Sequence, residues 1–144
     1  MKDMLKNGIE IASASEADMP AIEQLAKRFD LDCENISMNQ FLVAKRNNKI
    51  IGFGRLRKYP ACTEIATVGV IPEEQKRGVG SLLVKELIRS GPDEIFVTCV
   101  ISGFFKKFGF QLVKQYPSVL QKKVDFCISY DFKPEEVFVM KFSK

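Results

Sequence analysis

The residues best suited to chemistry gather in one stretch, Gln75-Lys76-Arg77-Gly78-Val79-Gly80-Ser81. It stands between a β-branched run, Thr63 to Ile71, and an amphipathic run that starts at Gly78. A helix N-terminus offers unpaired N–H groups and the positive end of the macrodipole, which together attract an anion. Gly78 and Gly80 allow backbone to approach phosphate oxygens with no Cβ in the way. Lys76 and Arg77 add positive charge at the same place. The arrangement suits a pyrophosphate; the plainer alternative is a glycine-rich capping turn. It is not a Walker loop, because GxxxxGK[ST] is absent, and GVGSLL lacks the third glycine of a dinucleotide fingerprint.

The chain has no histidine. That excludes Ser-His-Asp and Cys-His nucleophiles, histidine metal sites and a histidine base. Proton transfer falls to carboxylate, Lys, Tyr, Cys or water. Glu64, at the start of the β-branched run and flanked by Ile65 and Ala66, is the candidate base, since apolar neighbours raise a carboxyl pKa. The alternative is an exposed carboxylate at a strand end. The four cysteines, Cys33, Cys62, Cys99 and Cys127, are too far apart for a zinc motif and read as small core residues.

Elements to position these groups follow from periodicity. Gly8 to Ala14 alternates like a strand, and Ser15 with Asp18 has capping-box spacing ahead of Met19, Ile22, Leu25, Ala26 and Phe29 on a helix. Pro20 lies near that helix start. Asp30 to Asn39 is ambiguous and has room for a short helix. Phe41–Arg46 and Lys49–Tyr59 read as a hairpin turning at Asn47-Asn48, because Asn tolerates positive φ. Thr63–Ile71 reads as a central strand stopped by Pro72. Val79, Leu82, Leu83, Leu87 and Ile88 form a helix face, with Ser81, Lys85, Glu86 and Arg89 opposite and Gly91-Pro92 ending it. Glu94–Thr98 is a buried strand; Ile101, Phe104, Phe105 and Phe108 share one face of a short helix closed by Gly109. Phe110–Val113 and Glu136–Phe142 are the last strands. The order gives a mixed α/β sheet.

Gln75-x-x-Gly78-x-Gly80 resembles the Q/RxxGxG/A pyrophosphate loop of the GNAT acetyltransferase superfamily. Phe104-Phe105-Lys106-Lys107-Phe108-Gly109-Phe110 resembles that superfamily's helix-to-strand junction. The resemblance spans residues 9–142 and is weakest over 30–40 and 114–135. It implies an α/β (α+β) fold with a mixed, mostly antiparallel central sheet flanked by helices, as a single domain over residues 1–144. It also implies transfer of an acetyl group from acetyl-CoA, the co-substrate, to a primary amine, without a metal. The binding residues so implied are the backbone of Val68, Gly69 and Val70, the segment Gln75, Lys76, Arg77, Gly78, Val79, Gly80 and Ser81, and Thr98, Phe104, Phe105 and Lys107. Gly69 is the candidate for a bulge that frees an N–H for the thioester carbonyl. Glu64 resembles the base of the histone-acetyltransferase branch in its spacing and an AEIA stretch of the arginine-pathway enzymes. The usual tyrosine acid is replaced by Phe105, and the usual asparagine falls near Thr98. Either no side-chain acid operates, or Cys99, Ser102 or another group substitutes.

The segment Lys114–Lys123 followed by Cys127 resembles the C-terminal arm of N-acetylglutamate synthase-like domains. That likeness makes Arg55, Arg57 and Lys122 candidates to pair with a substrate carboxylate; a solvated basic face is the alternative. With 22 Lys+Arg against 18 Asp+Glu, the net charge of +4 favours a small anion and does not demand nucleic acid. No run approaches the ~20 apolar residues of a membrane span, and Met1–Glu10 lacks a signal-peptide core. The expectation is therefore a cytoplasmic monomer or homodimer with a small-molecule amine acceptor, most simply an amino acid. Acceptors at a protein N-terminus or lysine, and a CoA-binding sensor without turnover, are the alternatives.

Overall fold

The computed structural model describes residues 4–6, 8–129 and 132–144, so part of the Met1–Glu10 reading lies outside the described residues. The elements in chain order are β1 (Met4–Lys6), β2 (Ile9–Ser13), α1 (Met19–Arg28), β3 (Phe41–Arg46), β4 (Lys49–Lys58), β5 (Thr63–Val70), α2 (Val79–Ser90), β6 (Glu94–Cys99), α3 (Ser102–Lys106), β7 (Gln111–Leu112), α4 (Gln121–Ser129) and β8 (Phe138–Ser143). They group into two compact units, one of residues 1–56 and 66–90, the other of residues 57–65 and 91–144.

In the first unit the strands run in the order β1-β2-β3-β4-β5, with β1, β2, β3 and β4 paired antiparallel in succession. The β3–β4 turn is Asn47-Asn48, both left-handed at φ 52° and 64°, as two-residue hairpins require. Helix α1 starts where the sequence signals it: the Ser15 N–H and hydroxyl donate to Asp18 Oδ2 at 2.8 and 3.0 Å. Its Ile22 and Ala26 pack on Phe41, Val43 and Phe53, with the two rings edge-on at 6.4 Å. Helix α2 lies on the glycines of β4. A Cβ on Gly52 would sit 3.0 Å from Val79 and 3.1 Å from Leu83, and one on Gly54 3.1 Å from Leu87. Those glycines let the helix seat against the strand.

Two details of α2 differ from the periodicity. Glu86, read as polar-face, is buried, and its charge is met by Arg89 one turn on, whose hydrogen bonds hold the Glu86 carboxyl below its usual range. Ile88, read as core, is half-buried. Residues 30–39 hold no α-helix; Asp30 and Asn35 take φ 55° and 51°, which breaks helical continuity, and only Met38–Gln40 forms a 3-10 turn.

In the second unit the order is β5-β6-β8-β7. Glu64 and Ile65 of β5 pair in parallel with Phe96 and Val97, and β6–β8 and β8–β7 are antiparallel. One core joins Phe96, Leu120 and Val139 with Tyr59, Cys62, Tyr116 and Val124. A second sets Phe105 edge-on to Phe110 and Phe142 tilted against Phe110, each pair at 5.5 Å. Gly109 closes α3 at φ 97°, as its position predicts. Ile101 departs from the reading: it precedes α3 and is 56% exposed. Strand β7 is only Gln111–Leu112, and Glu136 stands in a 3-10 turn before β8. Helix α4 was not legible, since its apolar face is weak and none of its residues is fully buried.

Candidate active site

Strand β5 leads through the 3-10 turn Pro72–Glu74 into the glycine loop and α2. Glu74 is folded back: Arg46 Nε and Nη2 donate to its two oxygens at 2.9 and 3.1 Å. That hydrogen bonding holds the Glu74 carboxyl below its usual range. Gln75 uses its side-chain amide internally, donating to the Val70 carbonyl at 3.0 Å. Lys76, Arg77 and Gly78 are exposed, and Lys76 and Gly78 are left-handed at φ 66° and 87°. Alternating backbone hand is how successive N–H groups come to line a concavity. The first helical bond of α2 runs from the Leu82 N–H to the Gly78 carbonyl at 3.0 Å. The N–H groups of Val79, Gly80 and Ser81 precede it, so they have no acceptor within the helix. Gly78 has no side chain to cap them, and no acid lies in the first turn. Val79 points its side chain into the core, so only its backbone serves the loop.

The end of β5 is not regular. Thr67 is left-handed at φ 53°, an outlier for a β-branched residue, with a strain of about 1–3 kcal/mol. A left-handed residue within a strand interrupts the ladder as a bulge does. The irregularity of β5 thus lies two residues ahead of Gly69, the position read as a bulge. Gly69 is required for a different reason: a Cβ there would lie 2.8 Å from Phe53 Cζ and 3.0 Å from Leu31 Cδ1. Val68 and Val70 flank it, each half-buried.

Glu64 is fully buried, which excludes the exposed strand-end alternative. The Tyr59 hydroxyl donates to Oε1 at 3.1 Å, and Lys123 Nζ from α4 stands 3.8 Å from Oε2. The Arg57 guanidinium lies 5.0 Å over the Tyr59 ring. Burial, and then the Glu64 charge, push the Cys62 thiol up. Glu64 is thus a buried carboxylate that accepts from a phenol and faces a lysine, so a proton exchanged there passes through those partners rather than directly to bulk water.

The model of the Acetyltransferase (GNAT) family matches residues 9–110. The chain belongs to the GNAT family. It is 30% identical over 121 residues to the uncharacterized N-acetyltransferase CT2212 of Chlorobaculum tepidum, covering 74% of this chain and 78% of that protein. The amino-acid acetyltransferase of Mycobacterium tuberculosis is 26% identical, over 93% of this chain and 86% of its own length. Among solved structures, N-acetylglutamate synthase of Neisseria gonorrhoeae, complexed with coenzyme A and N-acetyl-glutamate, superposes at TM-score 0.77 with 18% identity. The match covers 96% of this chain but 36% of the synthase, so this chain spans about a third of that protein. Rv2747 of Mycobacterium tuberculosis, crystallised with CoA, gives 0.72 and 23% over 93% and 98%. The chain is an acetyl-CoA-dependent N-acetyltransferase with the mixed, mostly antiparallel GNAT sheet.

The remaining GNAT-derived positions separate into usable and covered groups. Thr98 of β6 is buried, and among the described residues its hydroxyl has no hydrogen-bond partner. An unmet buried hydroxyl costs about 1–3 kcal/mol, a deficit that a bound ligand's polar atom removes. Phe105, at the tyrosine position, is buried between Phe104 at 5.1 Å and Phe110 at 5.5 Å, so its ring is a core residue. Phe104 is half-buried, with Lys107 Nζ 5.1 Å over its ring. Burial pushes the Cys99 thiol up to about 11; its hydrogen goes to Met140 Sδ at 3.7 Å. Ser102 opens α3 and is half-buried.

Of the cationic trio read as a carboxylate clamp, Arg55 is withdrawn. It is fully buried and committed to Thr67, Gln40, Asn35 and Asp32. Arg57 is also buried, and Lys122 is exposed. Tyr59 and Thr67 were missed. No spacing rule links Tyr59 or Lys123 to Glu64, and nothing in TEIATVGV marks its second threonine as left-handed.

Proposed function

We propose that this chain, as one acetyltransferase domain, moves an acetyl group from acetyl-CoA to the primary amine of an amino acid or another small metabolite. The observation that carries the reading is the loop of Lys76 to Ser81: exposed cations, two left-handed residues and uncapped helix N–H groups, with the nearby Glu74 tied back by Arg46. In this reading those N–H groups and Lys76 and Arg77 hold the pyrophosphate. The backbone of Val68, Gly69 and Val70 takes the pantetheine and the thioester oxygen. Thr98 Oγ1 is assigned as a donor to the co-substrate, and Phe104 and Lys107 as its outer contacts. Gln75 and Phe105 act by shaping the loop and α3.

Glu64 is assigned as the base. The acceptor nitrogen must lose a proton before attack, because an ammonium has no lone pair. Since Glu64 is sealed from solvent, the Tyr59 hydroxyl bonded to it is the route for that proton. The new C–N bond forms as the C–S bond breaks; of the two protons an ammonium acceptor gives up, the one lost before attack ends on Glu64, and the one released as the amide forms goes to the departing CoA sulfur, which leaves as the thiol. The amino-acid assignment draws on the likeness to the mycobacterial amino-acid acetyltransferase over most of the chain.

The deciding experiment measures free CoA thiol with acetyl-CoA and a panel of amino acids, their amides, polyamines and peptides. Turnover with amino acids above their amides supports the assignment. Equal turnover with peptides moves the activity to protein acceptors, and no thiol release with any amine ends the reading.

A further inference from the structure

A fully buried arginine is the most expensive side chain to place in a core, and its cost is met only when its donors are used. Arg55 uses them on Thr67 of β5 and on three residues between 31 and 40. Nε donates to Thr67 Oγ1 at 2.8 Å. Nη1 donates to Gln40 Oε1 at 3.0 Å and the Asn35 carbonyl at 3.4 Å, and Nη2 to the Asp32 carbonyl at 3.3 Å. The Asp32 carboxylate stands 3.7 Å from Nη2, and the Phe41 ring 5.8 Å from Cζ. Thr67 completes the circuit by donating its hydroxyl proton to the same Asp32 carbonyl at 2.7 Å.

From this we infer that Arg55 is a positioning residue for acetyl transfer: it holds the left-handed turn of β5 at Thr67 and fastens the 31–40 segment to it. The inference rests on the role proposed above for the β5 backbone at Val68 to Val70. Three features argue against a merely stabilising role. Apolar residues of like volume usually serve a core as well as a buried ion pair does, so stability alone does not call for a guanidinium here. The Nε bond, at 2.8 Å, goes to the one residue of β5 whose backbone is strained. Strain of this kind persists only where surroundings over-determine it, and it concentrates at functional sites. Finally, the 31–40 segment has no helix or strand of its own beyond the Met38–Gln40 turn, so three of its carbonyl or amide oxygens depend on this guanidinium or on Thr67. Kink and segment are thus one mechanical piece.

The threonine hydroxyl both accepts and donates, which makes it replaceable by serine and not by valine. The test compares Thr67→Ser, Thr67→Val, Arg55→Lys and the Val/Lys double variant. Lysine keeps the charge but not the fork that spans Thr67 and Gln40. Thr67→Ser should retain most of the activity. Thr67→Val and Arg55→Lys should each lower kcat by about 10–100-fold, the scale of a small misplacement at a reacting centre. The double variant should be no worse than the lower single, because both cut the same link. Hydrogen exchange at the Ala66–Val70 amides should quicken in both singles, while α2 amides from Leu83 to Leu87 keep their protection.

Additive losses, full kcat in Thr67→Val, or unchanged exchange at Ala66–Val70 would overturn the inference. If Arg55→Lys does not fold, the Ser/Val pair, which leaves the guanidinium in place, decides alone. If the wild-type protein releases no thiol with any amine, the functional reading fails, and the exchange pattern still decides the role of Arg55.

Discussion

Gly78 carries two separable demands, and substitution distinguishes them. Its φ of 87° is one that alanine adopts at a cost of about 1–2 kcal/mol, while asparagine tolerates it better. A Cβ there meets nothing within 4 Å, so in the free protein the cost of Gly78→Ala is backbone strain alone. For a chain of this size ~1 kcal/mol corresponds to a melting shift of roughly 3–4 °C. Gly78→Ala should therefore melt about 3–8 °C lower, and Gly78→Asn should lose less.

Ligand binding reverses that order if the backbone must approach a pyrophosphate. The larger side chain then stands where phosphate oxygens belong, so affinity should fall about tenfold or more in both variants, and at least as far in Asn as in Ala. Calorimetric titration with acetyl-CoA beside thermal melts of the ligand-free proteins gives both numbers. Asparagine restoring affinity along with stability would refute the argument: the loop would need only a left-handed residue, and the close approach of backbone to phosphate would be wrong.

Glu64→Gln should cost about 10²–10⁴-fold in kcat with acetyl-CoA affinity unchanged, and part of the loss should recover at high pH, where free amine is abundant; near-normal turnover at neutral pH would make Glu64 structural. Gly69→Ala should destabilise by about 1–3 kcal/mol in a urea melt, because its Cβ would press the Phe53 ring at 2.8 Å, and Phe53→Leu should relieve part of that loss. The Glu74 carboxyl is held below its ordinary value of 4.5 in the folded chain, so its contribution to stability is present above that pH and is lost as pH falls through the lower folded value. Arg46→Met should flatten the fall of stability below about pH 4.5; an unchanged acid limb would show that the pair does not set it.

The parts of the molecule legible in the sequence share one property: a local rule specified them. Asn47-Asn48 names its own turn, Ser15 and Asp18 their own cap, and Gln75 to Gly80 the start of α2. What escaped depends on partners distant in the chain. Arg55 looked like one of several surface cations until Asp32, Gln40 and Thr67 surrounded it. Glu64 looked exposed or buried with equal reason until Tyr59 and Lys123 were placed beside it. Gly69 was read for its backbone, yet the Phe53 ring against it shows that packing also demands a glycine there. Helix α4 hid because a weak apolar stripe looks the same in a loop as in a half-covered helix.

The contact between Val79 and Gly52 gives the anion loop an unusual kind of address. The atoms assigned to grip the ligand are mostly backbone, so many side chains between Gln75 and Ser81 can change without erasing them. Where those atoms point is written elsewhere, in a strand whose glycine admits the first residue of the helix to within van der Waals contact. A methyl group added at Gly52 would lever the helix end outward and swing its N–H groups with it. A binding defect could thus arise from a residue that no ligand touches, on a strand that precedes the loop in the chain, and a search confined to the loop would miss it.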